Sequence, residues 1–74
     1  MVEGMNKRWW DLAPGDVFKV IMPFAPPTYN LVLEREPHDR HTSLLHLLCL
    51  DDDSRWWTTV VDNGVDVVEV VTCQ

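Results

Sequence analysis

Three histidines and a cysteine follow one another in the pattern His-x-x-His-x-x-x-x-His-x-x-Cys, formed by His38, His41, His46 and Cys49. Zinc accepts imidazole nitrogens and thiolates in a tetrahedral site. If residues 42–50 form a strand, His46 and Cys49 point to opposite faces, and only a helix would bring them to one side. We therefore expect no metal or other cofactor, and we interpret His38 and His41 as solvated loop residues.

The two cysteines, Cys49 and Cys73, offer little other chemistry. No secretion signal is apparent, and because the cytosol keeps thiols reduced, we expect a cytoplasmic protein without a disulfide. As a nucleophile, Cys49 would need a neighbouring base, which only the three histidines could supply. No constellation of catalytic residues is recognisable, so the sequence predicts that the protein is not an enzyme.

The acidic run of Asp51, Asp52 and Asp53 lacks the alternate ligands, central glycine and closing glutamate of an EF-hand loop. We interpret it as a solvated hairpin tip that deters edge pairing. The net charge of the 74 residues is −6, and the six basic residues are scattered, which disfavours direct nucleic-acid binding. An acidic surface would instead suit a basic partner, such as the nucleic-acid cleft of another protein.

Four tryptophans form two pairs, Trp9-Trp10 and Trp56-Trp57, each preceded by an arginine. Adjacent strand residues point to opposite faces, so one ring of the second pair should enter the core and the other should face outward. An exposed aromatic ring is a typical interface anchor. Two alternatives stay open: the rings could stack on a nucleotide beside the arginines, or could fill the core and cap an open barrel end.

Turn residues and alternating apolar residues divide the chain into strands. Pro14-Gly15 fits a type II turn, since proline fixes φ and glycine takes the positive φ that follows. Strands are predicted over residues 16–22 and 29–36, separated by a proline-rich loop over residues 23–28. The faces predicted to be apolar are those of Phe18, Val20 and Met22, and of Tyr29, Leu31 and Leu33.

The second half of the chain predicts three more strands. Leucines in residues 42–50 could form a helix, but the following aspartates would be repelled by its dipole by up to about 1 kcal/mol each. We therefore predict a strand covered on both faces, followed by a hairpin turn over residues 51–54. Asn63-Gly64 lies within a β-branched run over residues 55–71 and predicts a tight hairpin. A β-bulge near Val67-Val68 would turn Val65, Val67, Val68 and Val70 inward.

The chain resembles the SH3-like small barrels in the order of its features. A leading tryptophan is followed by Leu12, by Pro14-Gly15-Asp16 and a strand, and later by an apolar strand that ends at an acidic turn. The frequent tryptophan, valine and aspartate also resemble short orphan proteins of actinobacterial phages. The resemblance implies an all-β fold, a small five-stranded antiparallel barrel or half-open barrel, and a binding module. Residues 1–8 are expected to be a flexible leader and residues 9–74 the single domain. Recognition of proline-rich ligands is not implied, because the residues that form that groove have no match.

These observations predict a non-enzymatic interaction protein, encoded by a phage or mobile element. A chain this short buries only about 60% of its unfolded surface, so self-association would relieve a marginal core. The residues expected to bind a host protein or a second copy are Trp9, Trp10, Trp56, Trp57, Arg55, Asp51, Asp52 and Asp53. A nucleotide sponge that uses tryptophan stacking and an acidic mimic of nucleic acid are the alternatives. No membrane contact is expected.

Overall fold

The computed structural model describes residues 3–72, which form one antiparallel sheet of six strands. The strands are β1 Glu3–Arg8, β2 Val17–Met22, β3 Ala25–Pro37, β4 Thr42–Cys49, β5 Arg55–Val61 and β6 Val67–Thr72. A 3-10 turn over Trp9–Asp11 follows β1. No helix in this part of the chain is long and apolar enough to cross a membrane.

The strand order across the sheet is β1-β6-β2-β3-β4-β5. Strands β2 to β5 form a meander, and β6 returns to lie between β1 and β2. Strands β1 and β5 are the two edges, and no ladder joins them within residues 3–72. The predicted all-β antiparallel fold is confirmed, but the sheet has six strands rather than five and is not closed into a barrel.

The sixth strand comes from the segment predicted to be a flexible leader. The prediction of a flexible leader over residues 1–8 is wrong for residues 3–8. These residues pair with β6, from Glu3 opposite Thr72 to Arg8 opposite Val67. Backbone hydrogen bonds need no apolar alternation, and the mixed charge of this segment suits an edge strand. Residues 1–2 lie outside the described residues.

The connection around Asn63-Gly64 is not a hairpin, contrary to the sequence prediction. Strand β5 pairs with β4, whereas β6 pairs with β1 and β2. The expected bulge at Val67-Val68 is also wrong, because the β1–β6 register is continuous from Val67 onward. Val65 and Val67 are consequently exposed, at 84% and 55%. Turn propensity is local, whereas a strand's partner is decided by the whole sheet.

Strand β3 differs from its prediction in length and in facing. It begins at Ala25, which pairs with Met22 of β2, within the segment predicted to be a loop. Pro26 and Pro27 are tolerated because they precede Asn30, where the ladder to β4 starts, and need not donate hydrogen bonds to β4. The buried residues are Asn30 and Val32, not the predicted Tyr29, Leu31 and Leu33, of which Tyr29 and Leu33 are exposed and Leu31 is half-buried. A register shift between Val32 and Glu34 interrupts the alternation.

Three local predictions are confirmed. Gly15 has φ 95°, and the Asp16 amide donates to the Ala13 carbonyl at 3.0 Å, closing the turn at Pro14-Gly15. Residues 42–49 form a strand, and residues 51–54 connect it to β5 as a hairpin. The core draws on β2 to β6 and on the segment after the 3-10 turn. Its buried residues are Leu12, Phe18, Val32, Leu45, Leu47, Val60 and Val70.

Candidate functional site: the open edge of β5

Strand β5 has one side without a partner, and the ladder to β4 shows which backbone groups lie there. The Cys49 amide donates to the Ser54 carbonyl at 2.8 Å, and the Asp62 amide donates to the His41 carbonyl at 2.9 Å. Alternate residues of an antiparallel strand bond to the same neighbour. The backbone groups of Trp56, Thr58 and Val60 therefore face β4, and those of Trp57 and Thr59 face away from it. We call this side the open edge of β5.

The sequence of β5 itself carries few of the features that normally discourage strand pairing, and the Trp9–Asp11 turn lies beside its Thr58–Val61 half. Natural edge strands are blunted by charges, prolines or bulges. Strand β5 has no proline, its register with β4 is unbroken from Thr42 opposite Val61 to Leu48 opposite Arg55, and Arg55 is its only charged residue. The other edge, β1, carries Lys7 and Arg8 in its six residues. The two edges of the sheet are thus unequally protected.

The tryptophans of β5 have different environments. Trp56 lies opposite Leu47 at the rim of the core, where its Nε1 donates to Asn30 Oδ1 at 3.0 Å. Asn30 is only 2% exposed, so this bond satisfies a buried amide oxygen. Trp57 lies on the other face opposite His46 and is 63% exposed. Trp57 faces outward, as one ring of this pair was predicted to do, whereas Trp56 is at the rim rather than inside the core.

A cleft of about 310 Å³ lies beside this part of β5. It is lined by Leu33, Glu34, His46, Leu47, Arg55, Trp56 and Trp57. The mixture of apolar and charged lining is typical of the rim of a protein interface.

The first tryptophan pair serves mainly to close the core. The Trp9 ring meets Phe18 edge-on, with ring centroids 5.2 Å apart. The Arg35 guanidinium lies over the Trp10 ring, 4.5 Å from its centroid, and its Nη1 donates to the carbonyls of Trp10 and Leu12. Both rings are half-buried. Arg35 therefore fastens the 3-10 turn to β3.

A second cleft, of about 220 Å³, separates this turn from β5. It is lined by Trp9, Trp10, Thr58, Thr59, Val60, Val61, Gly64 and Asp66. The following loop is held in place because Arg8 Nη1 donates to the Asp62 carbonyl at 3.2 Å and the Trp9 amide donates to the Asp66 carbonyl at 3.3 Å. The cleft gives the half of the open edge around Thr59 an apolar wall.

The acidic run mainly shapes its own turn. Asp51 Oδ2 accepts from the Tyr29 amide at 3.3 Å, and Asp53 has φ 61°, a conformation that aspartate tolerates. Asp52 Oδ1 accepts from the Ser54 hydroxyl at 2.6 Å and from its amide at 2.9 Å. These two bonds lower the pKa of Asp52. All three aspartates are exposed, and their contact with a partner stays a prediction.

The three histidines have different surroundings. His41 Nδ1 lies 2.8 Å from Asp62 Oδ2, and this hydrogen bond raises the pKa of His41. His46 Nε2 lies 3.1 Å from Glu36 Oε1, and His38 is exposed in the turn after β3. Among residues 3–72, no three His, Cys, Asp or Glu side chains come together as metal ligands. Cys49 is a half-buried free thiol, and Cys73 lies outside the described residues.

Sequence reasoning missed Asn30 and Arg35, which hold Trp56 and Trp10 respectively. On β3, Asn30 shares a face with the buried Val32, but the sequence analysis took the opposite face, that of Tyr29, Leu31 and Leu33, as the apolar one. It also could not show that β5 is an edge strand. The chain matches no protein-family model, no curated protein and no solved structure.

Proposed function

We propose that this is a non-enzymatic interaction protein that binds another protein through β5. The observation that carries the proposal is the exposed ring of Trp57 on an edge strand. The outward backbone groups of this strand form no hydrogen bonds to β4. Tryptophan supplies more contact area than any other side chain and is enriched among the residues that dominate binding energy. Main-chain hydrogen bonds from an added strand would supply the remaining affinity.

The shape of the sheet fits such a role. Val60 of β5 and Val70 of β6 belong to one core although their strands lie far apart in the sheet. We therefore propose a half-open small barrel of the SH3-like kind, whose opening lies between β5 and the Trp9–Asp11 turn. The aspartates of the neighbouring hairpin would orient a basic partner by charge.

A photo-crosslinking experiment tests this function. A photoreactive phenylalanine analogue replaces Trp57 in one variant and Phe24, which is 99% exposed at the β2–β3 turn, in a matched control. We expect position 57 to crosslink to protein, either a second copy or another chain, and position 24 to give little product. Equal yields at the two positions, or no product from position 57, would refute the proposed interface.

One observation favours nucleotide stacking as a second candidate. The 310 Å³ cleft is lined by Arg55, Trp56 and Trp57, whose guanidinium and indole groups could hold a phosphate and a base. Titration of the protein with nucleoside mono- and triphosphates should then quench tryptophan fluorescence, and Trp57→Ala should abolish the effect. The acidic-mimic alternative has less support, because Asp51 and Asp52 accept hydrogen bonds from their own hairpin and from β3.

A further inference from the structure

We infer that the turn between β2 and β3 inserts into the surface of a neutral phospholipid bilayer. The turn spans residues 21–27, with the sequence Ile-Met-Pro-Phe-Ala-Pro-Pro, and we call these residues the apolar tip. The lipid contact is separate from the protein contact proposed for β5 and goes beyond it. It follows from the exposure of the apolar tip, its projection from the sheet, its few amide hydrogens and the charges around its base.

The side chains of the apolar tip are all exposed to solvent. Phe24 is 99% exposed, Ile21 69% and Met22 50%, and no charged residue occurs from residue 20 to residue 33. Consecutive strand residues point to opposite faces, so apolar side chains lie on both faces of this hairpin. An occupant must therefore surround the apolar tip, and a fluid bilayer does so without a matching cavity.

The apolar tip extends beyond the neighbouring strands. The ladder between β2 and β6 ends at Lys19, and the ladder between β3 and β4 begins at Asn30. Beyond these residues, within the described part of the chain, β2 and β3 form a ladder only with each other, as far as Met22 opposite Ala25. At about 3.3 Å per residue, the steps from Lys19 to Met22 place the turn roughly 10 Å beyond the sheet. Protein segments that lie in a bilayer interface bury their apolar side chains to a similar depth, about 5–10 Å.

The backbone of the apolar tip suits an environment without water. An amide hydrogen that lacks a partner is costly in hydrocarbon, where no water can accept it. Pro23, Pro26 and Pro27 carry no amide hydrogen, which removes three of the seven donors in this segment. The prolines therefore lower the cost of dehydrating the turn. The sequence, from which no membrane contact was expected, does not reveal the projection, because that depends on which strands are neighbours.

Residues at the base of the apolar tip limit its depth and select the lipid class. Tyr29 is 37% exposed and lies opposite Lys19, and tyrosine and lysine side chains are suited to the level of the headgroups. Asp51 Oδ2 accepts from the Tyr29 amide at 3.3 Å, so the acidic run of residues 51–53 adjoins this base. Anionic headgroups would repel these exposed carboxylates, whereas phosphatidylcholine presents a quaternary ammonium to them. The charges therefore favour a neutral bilayer.

Co-sedimentation of the full chain with phosphatidylcholine vesicles tests the inference with a matched pair of substitutions. Met22→Ser changes a 50% exposed methionine of the apolar tip, and Met5→Ser changes a 55% exposed methionine of β1. We expect Met5→Ser to bind like the wild type and Met22→Ser to bind more weakly. Phe24→Ser should lower the partition coefficient at least about tenfold, because the burial of a whole phenylalanine side chain is lost. Addition of phosphatidylglycerol to the vesicles should weaken binding of the wild type.

The photoreactive phenylalanine analogue at position 24 tests the contact without removing the aromatic ring. With phosphatidylcholine vesicles present, mass spectrometry should find lipid adducts at position 24 and far fewer in the variant that carries the analogue at position 57.

The outcomes separate the lipid contact from the proposed function. If the wild type does not bind neutral vesicles, or if Met22→Ser and Met5→Ser bind equally, the inference is overturned. It is also overturned if position 24 crosslinks to protein and not to lipid, or if anionic vesicles bind more tightly than neutral ones. Crosslinking of position 57 to protein tests the proposed function alone, and its result does not depend on vesicles.

Discussion

The two tryptophans of β5 should affect different properties, one the stability of the fold and the other binding. Trp56→Phe removes the Nε1 donor but leaves an aromatic ring in nearly the same place. The oxygen of Asn30, which is 2% exposed, would then be buried without its donor. Trp57→Phe is the matched control, because the 63% exposed ring of Trp57 makes no hydrogen bond among the described residues.

The magnitude follows from the burial of the acceptor. A buried polar atom that loses its partner costs about 1–3 kcal/mol, whereas a change at an exposed surface position usually lies within about 0.5 kcal/mol. For a domain of this size, each kcal/mol shifts the midpoint of thermal unfolding by roughly 4–8 °C. Trp56→Phe should therefore lower Tm by about 4 °C or more, and Trp57→Phe should change it by no more than about 2–4 °C.

Urea unfolding followed by far-ultraviolet circular dichroism measures this difference, because the substitutions alter tryptophan fluorescence itself. In both variants the free energy of unfolding should fall with urea concentration at the wild-type slope, since the same surface is exposed on unfolding. Equal midpoints for the two variants would refute the reasoning that the Trp56–Asn30 hydrogen bond supports the fold. So would a stable Trp56→Phe variant with a destabilised Trp57→Phe variant.

Three further substitutions test the supports of this sheet. Arg35→Lys should lower the free energy of unfolding by about 1–2 kcal/mol and shift tryptophan emission to the red, because lysine cannot reproduce the guanidinium over Trp10. The hydrogen bond to Asp62 raises the pKa of His41 above 6.5. The stabilisation of the fold by this pair is therefore complete below pH 6.5 and is lost as the pH rises through the raised pKa of His41. An NMR titration should show a lower pKa for His41 in Asp62→Asn than in the wild type. Gly15→Ala should cost roughly 1–2 kcal/mol in urea unfolding, since φ is 95° and no atom lies near the added Cβ.

The sequence was sufficient for features that depend on neighbouring residues. Pro14-Gly15 specifies its turn through the φ angles of two residues, and the three aspartates disfavour a helix ending at residue 50 through local electrostatics. An outward ring in the Trp56-Trp57 pair follows from strand alternation alone. These predictions required no knowledge of which strands are neighbours.

Features that depend on strand partners could not be predicted in this way. Asn63-Gly64 favours a hairpin, but β6 pairs with β1 along its whole length and lies beside β2. The facing of β3 was predicted wrongly because Asn30 interrupts the apolar pattern, and only its bond to Trp56 explains its burial. The open edge of β5, on which the candidate site depends, follows from the strand order and not from the composition of β5.

Residue-resolved amide hydrogen exchange along β5 tests the central claim most directly. In dilute protein, the amides of Trp56, Thr58 and Val60 should exchange slowly, because they bond to β4, and those of Trp57 and Thr59 should exchange quickly. Raising the protein concentration, or adding a partner identified by crosslinking, should slow exchange at Trp57 and Thr59. If these two amides are already protected in the dilute monomer, or stay unprotected when the complex forms, β5 is not an open edge that binds protein.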